Sequence, residues 1–99
     1  MRLTPDQVAT IIQTTRNIAG QQAQVWLYGS RLNDDRQGGD IDLLVESDPA
    51  IGLIARARIK NRLEQALQLP VDVLATGRGA QDSAFVAIAR AQSIPLNID

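Results

Sequence analysis

Trp26-Leu27-Tyr28-Gly29-Ser30 leads through a polar loop, Arg31 to Gly39, into Asp40-Ile41-Asp42-Leu43-Leu44-Val45-Glu46. The first stretch is a short apolar run that ends in a Gly-Ser turn. The second is an apolar strand carrying two carboxylates one residue apart. Strand side chains alternate between faces, so Asp40 and Asp42 project from one face, roughly 6–7 Å apart along the strand. Ile41, Leu43 and Val45 take one face of that strand, and Asp40, Asp42, Leu44 and Glu46 the other. The continuous run Val25-Trp26-Leu27-Tyr28 predicts a strand covered on both faces, with Trp26 and Tyr28 as core aromatics beside the turn.

Working outward, the chain alternates helix and strand. Thr4, Pro5 and Gln7 form a capping-box start, followed by Val8, Ile11, Ile12, Thr15, Ile18 and Ala19 at helical spacing, with Gly20 closing the helix. Asp48-Pro49 breaks the chain after the second strand. A second helix is predicted over about 51–68, with Leu53, Ala55, Ile59, Leu63, Ala66 and Leu67 near one face and Pro70 past its end. Val71-Asp72-Val73-Leu74-Ala75 reads as a third strand, Thr76-Gly77-Arg78-Gly79 as a loop, about 81–92 as a third helix, and 94–98 as an extended tail. The fold class is α/β: a small mixed β-sheet with helices packed against it.

The composition narrows the chemistry. The 99 residues predict one domain, with a core sufficient without metal or disulfide support. Ten basic and eleven acidic residues give a net charge of −1, so direct nucleic-acid binding is not indicated. Cysteine and histidine are both absent, which excludes thiolate and imidazole metal sites and the commonest general base. A metal here is held by oxygen, which favours magnesium, manganese or calcium. No stretch is apolar enough to span a membrane and the N-terminus has no secretory apolar core, so a cytoplasmic location is expected.

Three aspartates in apolar strands need an explanation, because unpaired buried carboxylates are costly. Each has an ordinary reading alone: Asp40 as a loop-end residue, Asp72 as the exposed start of a strand. Taken together with the Gly-Ser turn, they read as a site that shares divalent metal. Magnesium commonly uses one or two carboxylates plus substrate phosphates, and paired ions can clamp an in-line displacement. Gly29 lets a ligand approach the backbone, and N–H groups after Ser30 offer an anion site.

This pattern resembles the nucleotidyltransferase superfamily that includes DNA polymerase β, and within it the minimal nucleotidyltransferases. The family signature is a strand, Gly-Ser or Gly-Gly, a spacer, Asp-x-Asp, and a third carboxylate in a later strand. It is met here by Gly29-Ser30, Asp40-Ile41-Asp42 and Asp72. The resemblance implies a polymerase beta-like core over residues 1–99. It implies Mg²⁺-dependent transfer of a nucleoside monophosphate, AMP above all, from ATP or another NTP to a hydroxyl. Gly29, Ser30 and Arg31 would hold phosphates. Asp40, Asp42 and Asp72 would be the catalytic metal ligands, for two ions, with Asp72 helping to activate the acceptor. The chain departs from many members in lacking an Ala-Arg-Gly segment after the turn and in placing Gly39 before Asp40. Arg31 and Arg36 therefore also read as solvated loop charges.

Stand-alone domains of this kind are commonly the antitoxin half of a two-gene module whose partner is a helical HEPN-type toxin, so the resemblance implies a HEPN partner protein. A binding module that neutralises a toxin by complex formation is the alternative. Small-molecule nucleotidylation, with a pocket completed by a homo-oligomer, is a third. Arg56, Arg58, Lys60 and Arg62 along the second helix read either as a solvated face or as a rim for an acidic partner. The alanines of the third helix leave core, homodimer face and partner face open.

Overall fold

The computed structural model describes residues 3–29, 41–79 and 83–96. Helix α1 (Pro5–Ala19) is followed by strand β1 (Gln24–Tyr28), strand β2 (Ile41–Ser47) and helix α2 (Leu53–Leu67). Strand β3 (Val71–Gly77), helix α3 (Ala84–Ala91) and strand β4 (Ile94–Leu96) complete the order. Among the described residues the strands form one sheet in the order β3-β2-β1-β4. β2 and β3 run parallel, while β1 is antiparallel to both β2 and β4. The class is therefore the mixed α/β arrangement read from the sequence.

The capping box forms as read: Thr4 Oγ1 accepts from the Gln7 N–H at 3.1 Å, and Gln7 Oε1 accepts from the Thr4 N–H at 2.9 Å. This ties down the first turn of α1, whose Ile11, Ile12 and Thr15 are buried. Ile11 and Ile12 pack with Val25 and Leu27 of β1, Ile41, Leu43 and Val45 of β2, Ile59 and Leu63 of α2, and Val71 and Val73 of β3. The two long helices thus cover one face of the sheet, and burial of this apolar set is the main drive for folding. The shorter α3 lies against β1 and β2. Its Arg90 sits 5.2 Å above the Trp26 ring and pairs with Glu46 at 3.0 Å. Trp26 and Glu46 alternate with the core residues of their strands, so α3 occupies the opposite face.

Several expected boundaries shift. α2 begins at Leu53, because Gly52 is extended and offers no side chain to cap an earlier turn. Its first two residues are open to solvent, Leu53 76% and Ile54 78% exposed; Ala66 is exposed as well. Leu53 and Ala66 are thus not on the buried stripe, which is built on Ile59 and Leu63. β3 runs on to Gly77, since its parallel pairing continues to Ser47↔Gly77. α3 starts after Ser83, whose hydroxyl accepts from the Val86 N–H at 3.2 Å. The expected cover on both faces of β1 is unequal: Val25 and Leu27 are buried against the long helices, whereas Trp26 and Tyr28, on the face that α3 covers in part, are half-buried and outside the core. The extended tail is a strand as far as Leu96, paired with Val25. No helix among the described residues is long and apolar enough to cross a membrane.

Candidate active site

The register places three side chains in a row across the sheet. Tyr28 on β1 pairs with Asp42 on β2, and Asp42 pairs with Asp72 on β3. Asp42 lies between Ile41 and Leu43, and Asp72 between Val71 and Val73, all four in the core. Alternation therefore sends both aspartates to the other face. Neighbouring strands are about 4.8 Å apart, so the two carboxylates stand within reach of a common ion. Parallel pairing of β2 with β3 brings this about, and the intervening α2 makes that pairing possible.

Gly29, the residue after Tyr28, closes the row from one end. Its φ is +82°, and an ideal Cβ there would lie 2.2 Å from Asp42 Oδ2 and 3.1 Å from its Cγ. Only glycine lets the turn fold directly over that carboxylate. The two halves of the sequence motif are thus one piece of packing.

Tyr28 was read from the sequence as a core aromatic. It instead stands on the aspartate face, and its phenol is pushed up to about 12, first by burial and then by the Asp42 and Asp72 charges. A neutral hydroxyl beside two carboxylates is the expected state at neutral pH.

Two residues of α2 take a place beside the site that the sequence does not signal. Lys60 Nζ donates to the Val71 carbonyl at 2.7 Å and to Glu64 Oε2 at 3.1 Å, and lies 3.8 Å from Asp72 Oδ1. Glu64 Oε2 also accepts from the Val71 N–H at 2.9 Å. That N–H, and then the Lys60 ammonium, hold the Glu64 carboxyl below the usual range. Lys60 therefore belongs to the start of β3 and not to a basic rim; Arg58 and Arg62 remain exposed on α2. A Lys and a Glu four residues apart are also the mark of an ordinary helix-surface pair.

Asp40, Ser30, Arg31 and Arg36 fall outside the described residues. Of the proposed site residues, Gly29, Asp42 and Asp72 are brought together. Among the described residues no group of three or more metal-ligand side chains occurs. The donor set present, two adjacent carboxylates with a glycine turn folded on one of them, suits a hard divalent cation. A separate shallow cleft of about 310 Å³, lined by Ile12, Gln13, Arg16, Asn17 and Gln21, contains no residue of the motif.

Residues 7–94 match the family model of the nucleotidyltransferase domain. The chain belongs to that family. This nucleotidyltransferase domain also shares its fold with solved structures. One is a chain of the Shewanella oneidensis complex of tri-AMPylated HEPN toxin with MNT antitoxin, with TM-score 0.72 and 21% identity over 95% of this chain and 72% of that one. A second is a toxin-antitoxin structure with AMP-PNP, with TM-score 0.76 and 22% identity over 96% of this chain and 73% of that one. A third is a chain assigned as a minimal nucleotidyltransferase, with TM-score 0.63 and 23% identity over 96% of this chain and 98% of that one. No curated protein matches the sequence significantly.

Proposed function

We propose that residues 1–99 act as a single nucleotidyltransferase domain that transfers AMP from ATP to a hydroxyl of a partner protein, as the antitoxin of a HEPN/MNT module. The observation that carries this reading is the Asp42–Asp72 pairing beneath Gly29 in a chain of the nucleotidyltransferase family. The partner assignment is supported by the fold shared with toxin-antitoxin complexes, one of which holds an AMPylated HEPN toxin and another AMP-PNP. The domain acts in the cytoplasm.

Asp40, Asp42 and Asp72 would hold Mg²⁺, as one ion or two. The ion would supply neutralising charge for the triphosphate and Lewis acidity at the α-phosphate. Gly29, Ser30 and Arg31 seat the β- and γ-phosphates, the glycine by close backbone approach and the next two by donor groups. A bond forms between the acceptor oxygen and the α-phosphorus, and the bond to the bridging oxygen breaks, releasing pyrophosphate. With no histidine in the chain, the acceptor's proton passes to a carboxylate, Asp72, or to water. Tyr28 stays protonated throughout and offers its hydroxyl beside Asp42. The domain contributes positioning and charge neutralisation, which dominate catalysis of phosphoryl transfer.

The test is co-purification with the product of the neighbouring gene, followed by Mg²⁺ and ATP labelled at the α-phosphate. Label is expected on a partner hydroxyl, and Asp42→Asn should reduce it at least a hundredfold. A stable complex that takes no label from any NTP would overturn transfer in favour of inhibition by binding alone.

A further inference from the structure

Val71 is held through its main chain, on the side of β3 away from β2, by two side chains of α2. Glu64 takes its N–H at 2.9 Å and Lys60 its carbonyl at 2.7 Å, while Lys60 and Glu64 are joined at 3.1 Å. The pair thus stands where a neighbouring strand would stand. It grips the residue immediately before Asp72, one of the two carboxylates of the candidate site.

Its geometry is poorly suited to a role in helix stability alone. A glutamate placed N-terminal to lysine is the favourable order at this spacing, and here the order is reversed. Both side chains are instead turned towards β3. The three contacts of Lys60 are also graded. The carbonyl and Glu64 are at hydrogen-bond distance, and Asp72 Oδ1 is more distant at 3.8 Å. Lys60 is anchored without Asp72, so the Asp72 carboxylate can turn to another cation while the ammonium stays in place.

We propose that Lys60 and Glu64 are positioning residues for Asp72: together they fix the β3 backbone so that this carboxylate stands opposite Asp42, ready for a divalent ion. The inference rests on the metal-dependent reading given above. It extends the site to the layer behind the ligands, where loss of a supporting partner costs roughly 10–100-fold in metal affinity.

Binding of Mn²⁺ to the 99-residue chain, followed by electron paramagnetic resonance, tests it without reference to activity. Glu64→Ala should weaken Mn²⁺ binding about tenfold. Glu64→Gln keeps an acceptor for the Val71 N–H and should stay within about twofold of wild type, a rescue that general loss of stability would not give. Lys60→Met should also weaken binding. If Lys60 acted only as a repelling charge, Lys60→Met would bind Mn²⁺ more tightly, and that result would overturn the proposal. So would wild-type affinity in Glu64→Ala. Should Glu64→Ala fail to fold, the direction of the Lys60→Met change decides the matter. Wild type that binds no Mn²⁺, like an Asp42→Asn/Asp72→Asn control, would instead remove the metal site and overturn both readings. Wild type that binds while the Glu64 and Lys60 variants are unchanged would overturn this inference alone.

Discussion

At Gly29 two demands coincide. The backbone is left-handed there, and Asp42 Oδ2 occupies the space a Cβ would need. Left-handed geometry alone costs a non-glycine residue about 1–2 kcal/mol. Gly29→Ala should therefore lower unfolding stability by at least about that amount in denaturant titration. It should also suppress nucleotidyl transfer, because the methyl pushes Asp42 out of the row. Tyr28 gives a second measurement at this scale. It is the single tyrosine of the chain, so absorbance titration reads it directly. The midpoint should fall near 12, and Asp42→Asn should lower it without restoring the ordinary value, because burial contributes most. The sign for stability follows from a phenol that holds its proton more tightly in the fold. Its contribution is complete below about pH 10, the unfolded value, and is lost as pH rises towards 12. Asp42 and Asp72 were legible in the sequence because strands seldom carry carboxylates between core residues, and Gly29 because it ends a strand just before them. Tyr28 was not, since an apolar run of four gives no indication of which face is covered.

Secondary structure was legible where chemistry is local. Thr4, Pro5 and Gln7 mark the start of α1 by hydrogen bonds that span three residues, and periodicity finds its buried side. Where tertiary contacts decide, the sequence is silent. Leu53 satisfies the helical stripe of α2, yet it and Ile54 at the start of the helix are exposed to solvent. Lys60 and Glu64 resemble any surface pair until β3 is placed beside them. Glu64 also makes a prediction at this scale. Its carboxyl is held below the usual range by the Val71 N–H and by Lys60, so its stabilising effect is present above the unfolded glutamate pKa and is lost as pH falls through and below it. Wild type and Glu64→Gln should thus differ most near neutrality and converge below about pH 4 in urea unfolding.

For the molecule as a whole, a ligand that binds only the folded state raises stability by mass action. Mg²⁺ at a hundred times its dissociation constant should add about 2.7 kcal/mol. Differential scanning calorimetry should show Tm rising with Mg²⁺ in wild type and holding constant in Asp42→Asn. The order of elements and the mixed sheet followed from alternating strand and helix patterns. Strand order and register did not, because pairing of β2 with β3 and of β1 with β4 joins segments distant in the chain. That pairing, not proximity in sequence, makes Asp42 and Asp72 neighbours.

The contact between Gly29 and Asp42 also sets an order of loss. While the carboxylate is present, any side chain at position 29 collides with it. Once position 42 carries a smaller residue, the collision is gone and only the backbone penalty remains. The effects of Gly29→Ala and Asp42→Gly on stability should therefore not add, with the double variant more stable than the sum of the two changes predicts. Over descent, a lineage abandoning the chemistry can give up its aspartate first and its glycine later, whereas the reverse path runs through a misassembled turn. Among relatives that keep this packing, an intact aspartate beside a substituted glycine is the combination least expected.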